Sequence, residues 1–200
     1  YWGDEAIWTS RANAHNPMLD HRGRLWLTSR VRPRENPAFC RDGSDHPSAK
    51  QFPVTGSGRH LAMYDPETEE YSLISTCFST HHLVFAEDDD HTLWTSGGGQ
   101  VIGWLNTKMF DETGDEQQAQ GWTALVLDTN GNGKRDAYVE SDEASDPSKD
   151  TRVRSGYYGV AVSPIDGTIW GSSLGFPGAI LRLDPGPDPA ATALIEVYMP

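Results

Sequence analysis

Gly23-Arg24-Leu25-Trp26-Leu27-Thr28-Ser29, Thr92-Leu93-Trp94-Thr95-Ser96 and Gly167-Thr168-Ile169-Trp170-Gly171-Ser172 are three versions of one short segment with tryptophan at its centre. Each reads as a short β-strand with Trp at its centre. Immediately upstream lie three further short apolar runs, residues 15–20 (HNPMLD), 82–87 (HLVFAE) and 158–163 (YGVAVS). The residues between each run and its Trp strand include Asp20-His21-Arg22-Gly23, Asp88-Asp89-Asp90-His91 and Pro164-Ile165-Asp166-Gly167, rich in the Asp and Gly that tight hairpins favour. A partial fourth copy, Ala6-Ile7-Trp8-Thr9-Ser10, precedes them without its upstream strand.

After each Trp strand a second pair of apolar runs follows: 61–64 with 71–74, 101–105 with 123–127, and 180–183 with 193–198. Asp65-Pro66-Glu67-Thr68 and Asp184-Pro185-Gly186-Pro187 are strong breakers between partners. Four short antiparallel strands per repeat, with a buried aromatic, is the composition of a propeller blade. The expected fold class is therefore all-β: a β-propeller of four-stranded antiparallel blades, of which this chain covers about three. The segments run over about 1–80, 81–156 and 157–200 as one partial propeller. Twenty Gly and thirteen Pro, dispersed along the 200 residues, agree with many turns and argue against long helices.

The Trp residues lie 68 and 76 positions apart, wider than the roughly 40 to 50 residues of compact blades. Inserted segments account for the excess: a Pro- and Arg-rich stretch from Arg30 to Arg59, an acidic stretch from Met109 to Gln120, and a charged excursion from Asp128 to Arg154. All three read as loops, and loops inserted in repeat scaffolds often carry binding.

In these residues the chain resembles the streptogramin lyase (virginiamycin B lyase) type of propeller and its relatives among the NHL-repeat and gluconolactonase-like folds. The third repeat carries the likeness best, with 158–162 (YGVAV), 166–170 (DGTIW) and 180–185 (ILRLDP) in order. The resemblance implies the repeat architecture, whereas activity among such propellers ranges over lyases, lactonases, binding modules and scaffolds. Three repeats are too few for a ring of roughly four to eight blades. The chain, which starts at Tyr1 without Met, reads as a processed or partial one whose partners include further blades from the same or another chain.

The formal charge of −13 repels phosphate backbones and anionic lipid, which weighs against nucleic acid as a partner and favours cations. No apolar run approaches the roughly 20 residues of a membrane span. Cys40 and Cys77, 37 apart, lack the close paired spacing of a zinc site. A disulfide is the favoured reading, and with it a periplasmic or secreted location; two buried thiols are the alternative.

Two sets of residues carry candidate chemistry. Asp128-Thr129-Asn130-Gly131-Asn132-Gly133-Lys134-Arg135-Asp136 places oxygen donors at positions one, three, five and nine with Gly at six, as in calcium loops. Asp128, Asn130, Asn132 and Asp136 are the expected side-chain ligands of calcium, and Lys134 offers its carbonyl. Val139 stands at position twelve where a carboxylate is expected, with Glu140 or Asp142 as substitutes; a solvated Asn-Gly turn would use the same residues. The second set is His15, His82 and Tyr158, at equivalent positions of the three first strands. In a propeller these strands line the central channel, so the residues converge into a site for a transition metal or for general acid–base work, with His81 and His60 as possible additions. The alternative is that they only close the strand ends by hydrogen bonding.

Other motifs fail on context. Gly171-Ser172-Ser173-Leu174-Gly175 lacks the helix a nucleophile elbow requires, and Gly97-Gly98-Gly99 lacks the Lys of a phosphate loop. Trp2, Trp8, Trp104 and Trp122 are offered either to stacked ligands or, more simply, to the core. Two functions remain open: a calcium-stabilised binding or scaffold module for a protein, polymer or small molecule, and a metal-dependent lyase or hydrolase acting on a cyclic ester. For the second, His15 and His82 would be ligands or acid–base groups and Tyr158 a donor to substrate.

Overall fold

The structure is a computed structural model that describes residues 14–97 and 99–199. The partial repeat around Trp8, together with Trp2 and Gly98, lies outside the described residues. In chain order the strands are β1 (His15–Leu19), β2 (Leu25–Ser29), β3 (His60–Asp65), β4 (Glu70–Ile74), β5 (Leu83–Phe85), β6 (Thr92–Thr95), β7 (Val101–Asn106), β8 (Gln120–Ala124), β9 (Val126–Leu127), β10 (Tyr138–Val139), β11 (Asp150–Arg152), β12 (Gly159–Val162), β13 (Ile169–Ser172), β14 (Ile180–Asp184) and β15 (Leu194–Tyr198). Short helices intervene: α1 (Pro47–Gln51), α2 (Thr107–Thr113), α3 (Glu116–Ala119) and α4 (Pro189–Thr192).

The chain is all-β in class, and each repeat forms an antiparallel four-stranded meander. The first sheet runs β1-β2-β3-β4 and the second β5-β6-β7-β8. The third runs β12-β13-β14-β15 and continues through β9, β11 and β10 to seven strands. Equivalent tryptophans sit in the second strand of each meander, where Trp26 opposes Met63, Trp94 opposes Trp104 and Trp170 opposes Arg182.

The core lies between sheets. Alternation sends Trp26, Leu61, Met63 and Ile74 to one face of the first sheet, where they pack on Leu83, Leu93 and Leu105 of the second. The opposite face of the second sheet, with Trp94 and Ile102, packs in turn on Ile169, Leu181, Leu183 and Ile195 of the third. Each junction thus joins a Trp-bearing face to an aliphatic one. Within the second sheet Trp104 lies over Gly121, where an added Cβ would meet the indole at 2.2 Å. Glycine there is a packing requirement rather than a turn signal.

All three of the expected loops have structure of their own, the 30–59 stretch holding α1. The stretch after β7 forms α2 and α3 because Asn106 and Asp115 cap their N-termini and Gly114, at φ 65°, stops α2. The excursion after β8 supplies β9, β10 and β11, which extend the third sheet from β15, with Ile195 opposite Leu127. The 30–59 insertion folds over the second sheet: Trp122 N donates to Ser48 Oγ at 2.9 Å and the Trp122 indole N–H donates to the Phe52 carbonyl at 2.7 Å. Trp122 is buried against the His46 ring at 4.6 Å, and Trp104 is half-buried against Trp94 at 5.1 Å, so both belong to packing.

Cys40 and Cys77 form a disulfide, which points to an oxidising compartment. Among the described residues no helix is long and apolar enough to cross a membrane. Beside the disulfide the Arg32 guanidinium donates to Asn36 Oδ1, Ser57 Oγ and the Thr76 carbonyl, while Asn36 Nδ2 donates to the Val54 and Cys77 carbonyls. Disulfide and network together tie the insertion to the segment between the first two sheets. Closing a loop of 37 residues removes chain entropy from the unfolded state worth about 4 kcal/mol. Replacing both cysteines by serine is expected to lower the urea-unfolding free energy by roughly 2–4 kcal/mol. A loss below about 0.5 kcal/mol would mean that the hydrogen-bond network alone holds the insertion.

Candidate functional site

Each first strand starts beside the end of its Trp strand. His15 opposes Thr28, Tyr158 N donates to the Ser172 carbonyl at 2.8 Å, and Ser96 N donates to the His82 carbonyl at 2.9 Å. β5 lies alongside both β1 and β12, so the starts of the three first strands meet. The expected convergence of His15, His82 and Tyr158 is found, and His81 joins them.

Two cross-sheet links fix the arrangement. Asn16, at φ 48°, turns its Oδ1 to accept Leu83 N at 2.7 Å, tying β1 to β5. The left-handed backbone that Asn tolerates better than most residues is what aims this side chain sideways. On the other side the Tyr158 carbonyl accepts His82 Nδ1 at 2.8 Å and also the Ser96 hydroxyl, using both lone pairs. Ser96 Oγ in turn accepts His82 N at 3.1 Å. Because a carbonyl only accepts, His82 Nδ1 carries the proton of this bond.

The rings are close. His15 and His81 stack at 4.6 Å between centroids, His81 and His82 meet edge-on at 4.2 Å, and His15 and His82 lie at 5.4 Å. The Tyr158 ring is 5.0 Å from His81 and 4.9 Å from His82. One ring nitrogen from each of the three histidines lies within 4.8 Å of the other two. Burial pushes the His81 pKa down, and the neighbouring His82, His15 and Arg59 push it further, so at neutral pH this imidazole is uncharged with a free lone pair.

Three imidazoles without a carboxylate form a donor set for zinc, copper or nickel rather than for calcium or magnesium. Bonds of about 2.0–2.1 Å to zinc place tetrahedral nitrogens about 3.3 Å apart. The cluster must therefore close by something over an ångström, a side-chain adjustment open to the exposed His15. The carbonyl behind His82 is the outer partner that metal-bound imidazoles usually have.

His60 does not belong to this group. It is fully buried, its Nδ1 accepts Val31 N at 3.3 Å and its Nε2 faces Ser57 Oγ at 3.2 Å. It serves the Arg32 network instead, and burial beside Arg32 and Arg30 lowers its pKa to about 4.

The 128–136 loop folds as a compact turn in which Asp128 accepts Gly131 N at 2.7 Å and Gly133 N at 2.8 Å, while Asn130 and Asn132 both donate to Asp136 Oδ2. Lys134 N donates to Asn132 Oδ1 at 2.8 Å. Glu140 and Asp142 are engaged elsewhere: Glu140 pairs with Arg152 at 2.6 Å and Asp142 with Arg154 at 2.8 Å. The carboxylate that reaches the loop is Asp150 from β11, buried, accepting Asp136 N at 2.7 Å. No linear spacing points to Asp150, since only the pairing of β11 with β9 and β10 brings it under the loop.

The His60 shift predicts a pH dependence. A folded pKa of about 4 against an ordinary 6.5 means that the unfolded chain takes the proton first. The stability His60 confers is complete above about pH 6.5 and falls as pH drops towards 4, by roughly 2–3 kcal/mol. His60→Gln should therefore flatten the stability curve between these limits in urea titrations, and an unchanged slope would contradict the assignment. Comparison with models of known families and with curated proteins finds no match to this chain, which leaves function to be read from these side chains.

Proposed function

We propose that the three meanders are successive blades of an extracytoplasmic β-propeller of the streptogramin lyase-like, NHL-repeat type. In this reading the protein is a binding module whose ligand meets a divalent transition metal held by His15, His81 and His82. The observation that carries it is the convergence of three ring nitrogens within 4.8 Å where the first strands meet. Three imidazoles fill three positions of a four-coordinate ion and leave the fourth for an oxygen of a ligand or water. The Tyr158 hydroxyl group belongs to a ring in contact with both His81 and His82, and serves as hydrogen-bond donor to that oxygen. The loop of Asp128, Asn130, Asn132, Lys134 and Asp136 is read as a separate calcium site that orders the inserted strands β9 to β11.

Allocation of the imidazoles decides between binding and turnover. A lyase acting on a cyclic ester needs a base to remove a proton as well as a cation to hold the enolate oxygen. With all three histidines on the metal no imidazole remains as base, and turnover would depend on a metal-bound hydroxide alone. The lyase or hydrolase reading draws on one feature, the exposure of His15, which would let it leave the metal to His81 and His82 and act as the base.

Metal analysis by mass spectrometry after loading with zinc and desalting tests the proposal. One equivalent of zinc is expected in the wild type, with at least a tenfold weaker Kd for His81→Ala and for His82→Ala. Retention of zinc by the His81→Ala/His82→Ala double variant would overturn the site. Full zinc affinity in His15→Ala would remove His15 from the ligand set and leave it available as the base that the enzyme reading needs.

A further inference from the structure

The junction between the second and third sheets is not filled to its end. Where the β5–β6 turn and the Pro-rich connection between β14 and β15 border the same space, a cavity of about 410 Å³ opens, with Trp94, Trp104, Glu87, Asp90 and Pro187 in its walls. Sheets of this chain bound it on both sides, so it is not an open end of the stack. Trp104 packs over Gly121 and against Trp94 with part of its ring. The half-buried remainder also borders a second cavity, of about 590 Å³, and Pro187 and Pro189 are common to both. The two chambers therefore adjoin at one indole. The histidine cluster lies at the starts of β5 and β12 and the first cavity at their ends, which puts the two places at opposite ends of the junction.

The indole N–H groups distinguish this space from ordinary packing. Trp26 donates to Asp20 Oδ2 at 2.9 Å, Trp170 to Thr168 Oγ1 at 2.8 Å and Trp122 to the Phe52 carbonyl at 2.7 Å. Trp94 holds the same place in its repeat as Trp26 and Trp170, and Thr92 precedes it by two positions as Thr168 precedes Trp170. Among the described residues, however, neither the Trp94 nor the Trp104 N–H has a protein acceptor. Trp94 is only 4% exposed, yet its N–H is not one of the sealed unpaired atoms, which are Ser29 Oγ, Asp150 Oδ1 and Arg152 Nη1. The donor therefore reaches the cavity that its ring lines. Glu87 and Asp90 are exposed at the rim, and among the described residues their carboxylates pair with no protein group.

These groups specify a ligand. It must accept hydrogen bonds from indole N–H groups, donate to carboxylates and present apolar carbon to Trp104. Anions are repelled by the two carboxylates. A quaternary ammonium ion is attracted by carboxylates and aromatic rings but offers the buried Trp94 donor no acceptor, leaving its desolvation uncompensated. A neutral sugar meets all three requirements, since its hydroxyls both donate and accept and its ring carbons are apolar. Both chambers fall within the roughly 300–1,000 Å³ of small-molecule sites.

We propose that this cleft binds a neutral oligosaccharide, with one ring at Trp94 and the next across Trp104 in the adjoining chamber. The site is independent of the metal and of the calcium loop. An array of neutral and acidic glycans, followed by calorimetric titration with the best-bound member, tests it. Neutral glycans of more than one ring are expected to bind. Trp94→Phe and Trp104→Phe, which keep an aromatic ring and remove the donor, should each weaken Kd about tenfold. Glu87→Ala/Asp90→Ala, at exposed positions that leave the fold intact, should weaken it by a similar factor, and Trp170→Phe should bind as the wild type does. An array on which no glycan is bound, or only acidic ones, overturns the proposal. Affinity unchanged in both Trp94→Phe and Glu87→Ala/Asp90→Ala overturns it equally, and binding of tetramethylammonium without any sugar would assign the cleft to organic cations instead.

Discussion

The need to cover sheets that are apolar on both faces is the constraint on which the rest of the structure depends. A half-apolar meander can hide one face in a simple sandwich, but these meanders are apolar on both sides, with Trp26 or Trp94 on one and Leu27 or Leu93 on the other. Such sheets are stable only in a stack, each covering its neighbour. Stacking in one direction brings equivalent strands side by side, and the starts of β1, β5 and β12 come together as a consequence. The histidine cluster is therefore a by-product of core packing. It needs no loop to fold over it, only strands held in register by Asn16 and by the carbonyl of Tyr158.

The parts of this architecture that repeat were legible in the chain. Self-similarity around three tryptophans predicts the strands, and the Asp- and Gly-rich connections predict their antiparallel pairing. Equivalence of His15, His82 and Tyr158 in the repeat predicts their proximity. What was not legible depends on single contacts across long separations. His60 carries no local mark distinguishing it from His81, yet Ser57 and Val31 draw it into the Arg32 network. Asp150 reaches the 128–136 loop through strand pairing alone, whereas Glu140 and Asp142, nearer in sequence, are claimed by Arg152 and Arg154. The helix α1 hides in a Pro- and Arg-rich stretch that reads as loop, and α2 and α3 in a polar, acidic one that does so unless the caps Asn106 and Asp115 are given weight.

The insertions divide into structural and chemical roles. The 30–59 segment is fastened by a disulfide, by Arg32 and by the cover it gives Trp122, so it acts as a rigid shield on the second sheet. The 126–152 segment widens the third sheet and presents oxygen donors at its edge. Neither supplies a ring nitrogen to the histidine cluster, whose members all come from the repeat. Net charge favours cations at both places, but the donors differ in kind: imidazole nitrogens where the strands meet and carboxylate and amide oxygens in the loop. The proposal therefore places chemically distinct cations in two regions of one fold.

The most direct measurement of this account is X-ray absorption fine structure at the zinc edge on protein loaded with one equivalent of zinc. Three imidazole scatterers at about 2.0 Å with one oxygen completing the shell is the predicted result. A shell made only of oxygen, at whatever distance, would place the metal away from His15, His81 and His82 and contradict the convergence of the strands as the source of function.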